Sequence, residues 1–164
     1  VIRKVTKHPN AIDQVENDGD QQWAIVSPLA NATIVAGQTT WHLQLSGFGF
    51  EMPKRARILG LTVRLTGTLS LLGIRLINIS LMFGEVRSII KESDLTSTLF
   101  DFTIGSADDV WDMAAEDMTF DSFGVTLQFG NELPLLPSTV AITDVPVDVT
   151  YEVSRRQVFS RINQ

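Results

Sequence analysis

LSGFGFEMPKRARILGLTVRL, residues Leu45–Leu65, decides the fold class. Glycines and aromatics interleave at Gly47-Phe48-Gly49-Phe50. Met52-Pro53 marks a turn, and a long run follows in which Leu59, Leu61, Val63 and Leu65 fall on one face. Gly60, Thr62, Arg64 and Thr66 fall on the other. A period of two is the signature of a half-buried β-strand. The glycines read as a strand corner, where they permit unusual backbone angles and the phenyl rings pack. A phosphate loop is excluded, because no helix and no Lys-Ser/Thr follows.

Other segments repeat this pattern. Thr39–Leu45 places Trp41, Leu43 and Leu45 on one face and Thr40, His42 and Gln44 on the other. Ser122–Phe129 alternates Phe123, Val125, Leu127 and Phe129 with Gly124, Thr126 and Gln128. Leu69–Phe83 changes phase, since Ile77, Ile79, Leu81 and Phe83 share a face while Ile74 and Leu76 do not. A bulge near Gly73, or burial of both faces, accounts for that. Val140–Val153 forms a last strand, and Pro146 makes it an edge or bulged segment. Short strands are expected at Trp23–Val26, Ala32–Ala36 and Leu99–Ile104, and Glu85–Ser97 reads as strand and loop. Ser106 is placed to cap one helical turn carrying Val110 and Trp111. About eight strands with closely spaced turns and no long helical pattern indicate an all-β, antiparallel two-sheet sandwich, jelly-roll-like.

At 164 residues and 44% hydrophobic content, the chain is sized for one domain, assigned to residues 10–153. No apolar run is long enough to span a membrane. The first residues, VIRKVTKHPN, lack the apolar core of a signal peptide. The absence of cysteine removes disulfides, thiolate metal sites and a cysteine nucleophile.

Charge is distributed unevenly. Arg3, Lys4 and Lys7 lie in residues 1–9, and Arg155, Arg156 and Arg161 lie in residues 154–164. Neither end carries an acid. Thirteen basic residues less these six leave seven against nineteen acids, so the body has a net charge of −12. The two ends read as basic arms, the second with Val158, Phe159 and Ile162 as its apolar side. Arg3, Lys4, Lys7, Arg155, Arg156, Phe159 and Arg161 are the expected partner-binding residues, reaching acidic neighbouring subunits. Nucleic acid is a poor partner, because three charges per arm beside an acidic body make a weak phosphate-tracking surface.

Catalytic chemistry finds little support. His8 lies in the first arm, and His42 reads as a surface residue on a polar strand face. No nucleophile-elbow motif is present. Acids cluster at Asp108, Asp109, Asp112, Glu116, Asp117 and Asp121, and Asn17-Asp18-Gly19-Asp20 is a strong turn signal. Both clusters suit turns better than calcium, and no pair of carboxylates stands out for glycoside hydrolysis. Trp23, Trp41 and Trp111 read as core residues, with a sugar-stacking platform as the alternative. No cofactor site and no metal site are expected.

Several landmarks occur in order: Asn17-Asp18-Gly19-Asp20, Trp23-Ala24, the Leu45–Phe50 run, Ile58-x-Gly60-x-x-Val63, Asp108-Asp109-Val110-Trp111, Ser122-Phe123-Gly124-Val125 and Val147-x-Val149-x-Tyr151. This order, over residues 10–153, resembles β-sandwich structural modules of tailed-bacteriophage virion proteins. The resemblance implies a non-enzymatic, homo-oligomeric virion component bound to other capsid or tail subunits, such as a capsid decoration protein. The alternative it implies is a receptor- or carbohydrate-binding module of a tail fibre or tip. Asp112 departs from the pattern, which has Gly after the Trp.

Overall fold

The computed structural model describes residues 1–25, 29–133 and 135–154. It is an antiparallel two-sheet β-sandwich, as the alternating pattern requires. The strands are β1 (Ile2–Lys7), β2 (Ala11–Gln14), β3 (Ala24–Ile25), β4 (Ala30–Ile34), β5 (Leu43–Ser46), β6 (Arg57–Leu69), β7 (Ile74–Phe83), β8 (Val86–Arg87), β9 (Lys91–Asp94), β10 (Leu99–Gly105), β11 (Phe123–Asn131), β12 (Ser138–Asp144) and β13 (Val147–Glu152). One sheet runs β1-β13-β6-β12-β4-β3, with β10 also paired to β6. The other runs β2-β5-β11-β7-β8, with β9 also paired to β7.

The long strand read from the opening stretch organises the first sheet. β10 pairs with one edge of β6, while β13 and then β12 follow its other edge. The expected single last strand is therefore two. Pro146 has no N–H to donate and falls at the break, where its carbonyl accepts from the Arg64 N–H at 3.0 Å. Leu61, Val63 and Leu65 of β6 face Leu43, Leu45, Leu81, Val125 and Leu127 of the other sheet in one buried cluster. The phase change in Leu69–Phe83 is a bulge, but at Ile77 rather than Gly73. Gln128 opposes Asn78 and Phe129 opposes Leu76, so Ile77 has no direct partner. That extra residue lets Ile74 and Leu76 join Ile79, Leu81 and Phe83 in the core.

The glycine–aromatic corner is built as expected. Gly47 and Gly49 have φ of 67° and 71°. Phe48 and Phe50 are buried and pack on Phe123, with ring centroids 5.2 and 5.6 Å away. The helical turn proposed after Ser106 is absent. The Ser106 hydroxyl donates to the Asp108 carboxylate at 2.6 Å, and the short 3₁₀ turns lie at Ala115–Asp117 and Phe120–Ser122. Trp111 and Asp112 both adopt left-handed backbone, at φ of 55° and 57°. That conformation is what a glycine after the tryptophan would serve, and Asp112 adopts it at a steric cost.

Residues 1–9 do not form a free arm in this structure. Ile2–Lys7 pairs residue for residue with Glu152–Val147 as β1, and Val5 packs on the core. The β-branched residues of VIRKVT favour a strand. Its lysines and arginine then occupy an edge, where charge discourages further strand pairing. Lys4 lies 3.8 Å from Asp148 within its own chain. Arg3, Lys4 and Lys7 are exposed along this edge. Of the second expected arm, Arg155, Arg156, Phe159 and Arg161 lie outside the described residues.

Candidate functional site: a polar groove on the second sheet

The outer face of the second sheet carries the site. Register places Asp13, Gln44, Thr126 and Ser80 side by side across β2, β5, β11 and β7. Gln128 and Asn78 form a neighbouring row, and Met82 and Arg87 another. Strands lie about 4.8 Å apart, so the row from Gln44 to Ser80 spans roughly 10 Å. Thr126 and Ser80 are only 1% and 3% exposed although they point away from the core. They form the floor of a groove of about 220 Å³, whose walls are Val15 and Asp18 on one side and Arg87, Ser88 and Ile90 on the other.

Each wall follows from local sequence. The Asn17-Asp18-Gly19-Asp20 turn bends through Asn17 at φ 61° and Gly19 at φ 145°. A Cβ on Gly19 would run into the Thr40 carbonyl, so only glycine allows this approach. Asp20 then fastens the turn, its N–H donating to the Thr39 carbonyl and its carboxylate accepting from the Thr39 N–H, both at 3.0 Å. The opposite wall leaves β7 at Gly84, φ 66°. Ser88 pins it: its hydroxyl accepts from the Leu81 N–H at 2.7 Å and donates to the Ile89 carbonyl at 2.8 Å.

His42 is not the surface histidine expected from its strand position. Its side chain is 18% exposed, and Nδ1 lies 2.8 Å from the Asp18 carboxylate. Its Nε2 faces the Asn78 amide at 3.4 Å, and the Asn78 Oδ1 accepts from the Ser80 hydroxyl at 3.2 Å. An Asp–His pair is also the base half of a hydrolytic triad. Here the imidazole meets an amide instead of a hydroxyl, and Ser80 sits within a regular strand rather than on a strained turn. The imidazole thus joins Asp18, Asn78 and Ser80 in one hydrogen-bonded row.

Trp23 and Trp111 are buried, and Trp41 is half-buried against the core. None lines the groove. The Trp23 indole N–H donates to the Trp41 carbonyl at 2.7 Å, and the Trp23 ring meets Phe129 edge-on at 5.7 Å. The stacking-platform alternative for the three tryptophans therefore has no geometric basis. His8 pairs with Asp144 at 3.0 Å, away from the groove. Among the described residues, no three His, Asp or Glu side chains converge to hold a metal ion. No helix among them is long and apolar enough to cross a membrane.

The fold and the groove define a β-sandwich module with a polar groove on the outer face of its second sheet. No family model matches the chain, and no curated protein matches it. Among solved structures, it is similar to one described as "CBM4 structure and function", at 16% identity and a TM-score of 0.44, covering 89% of this chain and 94% of that one. It is also similar to the N-terminal cellulose-binding domain of Cellulomonas fimi β-1,4-glucanase C, at 14% identity and a TM-score of 0.40, covering 92% and 88%. Identities this low transfer no site residue.

Proposed function

We propose that this protein is a non-catalytic recognition module that binds a neutral, polyhydroxylated ligand, a saccharide chain, in the groove of the second sheet. The observation that carries this reading is the Gln44–Thr126–Ser80 row, a line of amide and hydroxyl groups sunk below the surface between two pinned walls. Ser80 and Thr126 each have a partner within the protein, Asn78 and Arg87. A hydroxyl can both donate and accept, so each keeps hydrogen-bonding capacity for a ligand that brings its own donors and acceptors. Arg87 is the one cation of the lining, which disfavours polyanions, and the polar floor disfavours apolar ligands.

Titration calorimetry with cellotetraose, xylotetraose and chitotetraose tests this. Wild type should bind at least one of them. Gln44→Ala and the near-isosteric Thr126→Val should each weaken it by about fivefold, one net hydrogen bond. No binding to any of the three, or binding indifferent to both substitutions, would overturn the reading.

The virion reading is kept as a second proposal because one feature favours attachment to a neighbouring subunit. Val35, Leu71, Leu72, Leu135 and Leu136 are exposed at one end of the sandwich, Leu135 at 87%. Incorporation into phage particles should fall on Leu135→Ser with Leu136→Ser and should be unaffected by Thr126→Val. Incorporation that survives the double substitution would remove the tip from consideration.

A further inference from the structure

We propose that His42 sets the hydrogen-bond polarity of Ser80 through Asn78, so that the ligand preference of the groove changes with pH. The proposal rests on the binding reading above and adds its regulation.

The chain of contacts has a fixed direction. The Asp18 carboxylate and the Asp18 backbone carbonyl, 2.8 and 3.2 Å from His42 Nδ1, can only accept, so Nδ1 carries the proton. In a neutral imidazole the other nitrogen is then an acceptor. Nε2 receives the Asn78 Nδ2 amide at 3.4 Å, which turns the Asn78 Oδ1 toward Ser80. The Ser80 hydroxyl spends its one proton on that oxygen at 3.2 Å. Toward the groove it presents lone pairs. Ser80 is therefore an acceptor on the floor, beside Thr126, whose hydroxyl receives Arg87 Nη1 at 3.5 Å and keeps its own proton free.

A proton added to His42 reverses the chain. Nε2 becomes a donor and opposes the Asn78 NH₂. Rotation of the amide by half a turn restores the contact, with Oδ1 on His42 and Nδ2 on Ser80. Ser80 now accepts from Asn78 and directs its own proton into the groove. No atom moves except the amide and one hydroxyl hydrogen, and the Asp18 ion pair holds the imidazole throughout. The charged groups on the elements around it are Glu16, Asp18 and Asp20 of the β2–β3 turn, Asp13 of β2, Arg75 of β7 and Arg87 of β8. Of these, only Asp18 is paired with the ring. The acceptor state suits a hydroxyl donor on the ligand, and the donor state suits an acetamido carbonyl, which can only accept.

Two measurements test the relay. In ligand-free protein, ¹⁵N NMR at pH 8 should show His42 protonated at Nδ1, and the Asn78 side-chain amide resonances should shift with the His42 titration. An Nε2–H tautomer at pH 8, or an Asn78 amide indifferent to the titration, overturns the proposal. With ligand, the ratio of cellotetraose to chitotetraose affinity should fall about fivefold from pH 8 to pH 5 in wild type, one net hydrogen bond. It should stay constant in His42→Gln, whose amide does not titrate. A ratio constant in wild type, or one that still changes in His42→Gln, overturns it. If neither sugar binds, saccharide recognition fails while the NMR result still decides the relay.

Discussion

The Trp111 indole N–H donates to the Leu61 carbonyl at 2.9 Å, joining a loop to the middle of the longest strand fifty residues away in sequence. Both residues are fully buried. The Leu61 N–H in turn donates to the Asp109 carbonyl at 2.9 Å, so the 106–112 loop closes over β6 where β10 has ended. Gly60 makes this close approach possible, since a Cβ there would strike the Ser106 and Ala107 carbonyls.

Trp111→Phe should therefore be costly although it keeps an aromatic ring. It leaves the Leu61 carbonyl without its buried donor and opens space beside Gly105, whose backbone touches the indole. A lost buried partner costs about 1–3 kcal/mol, and the cavity adds to it. Urea unfolding should show a loss of about 2–4 kcal/mol. A loss below about 0.5 kcal/mol, the range of a neutral surface change, would show that the loop is held by other contacts.

The apolar tip depends on a polar hub. Asn131, buried, donates through Nδ2 to the Ile34 carbonyl at 2.7 Å and the Leu136 carbonyl at 2.9 Å, and its Oδ1 accepts from the Leu133 N–H at 2.8 Å. Ser138 similarly grips both backbone groups of Leu71. Three segments, carrying Val35, Leu71 with Leu72, and Leu135 with Leu136, thus hold these apolar side chains outward on a fixed frame. Asn131→Ala should cost about 2–4 kcal/mol, and Asn131→Asp should also destabilise by opposing two carbonyls with a carboxylate. Leu135→Ser should change stability by less than about 0.5 kcal/mol. Chemical denaturation of the three variants checks the contrast, which reverses if the leucine itself holds the tip together.

Much of this scaffold was legible because strands declare themselves locally. Alternation in Ile58–Thr66 and Ser122–Phe129 located β6 and β11. Pro146 marked an irregularity in the last strand, though as an edge or bulge and not as the break between β12 and β13 that it is. The phase change before Phe83 announced a bulge but not its position. That position depends on which residue of β11 opposes Leu76, a fact of register. The groove was hidden for the same reason. Gln44 and Thr126 read only as outward polar positions, as on any solvated sheet. Asn78 and Ser80 carried no signal, because their meaning comes from neighbours on other strands. The Asp18 turn was visible, yet its contact with His42 required the fold. In residues 1–9 the charges drew attention away from the β-branched residues that make β1.

Lys91 and Asp109 give the fold a defined acid dependence. Their charged atoms are 2.9 Å apart, and the Lys91 ammonium also lies 5.1 Å from the centre of the Trp111 ring. Burial pushes the Asp109 carboxyl up, but the Lys91 hydrogen bond and the Trp111 N–H at 2.8 Å outweigh it and hold the group below the usual carboxylate range. A carboxyl that titrates lower in the folded chain than in the unfolded chain stabilises the fold fully above the unfolded value of about 3.9. That contribution disappears as pH falls through the lower folded value. Lys91→Met removes the chief cause of the depression and keeps the apolar stem that covers Trp111. The stability difference between wild type and Lys91→Met should therefore favour wild type at pH 7 and shrink as pH falls below about 4. Guanidinium unfolding at pH 7, 4 and 3 measures it. A difference constant across that series would place the role of Lys91 in its packing on Trp111 instead of its charge.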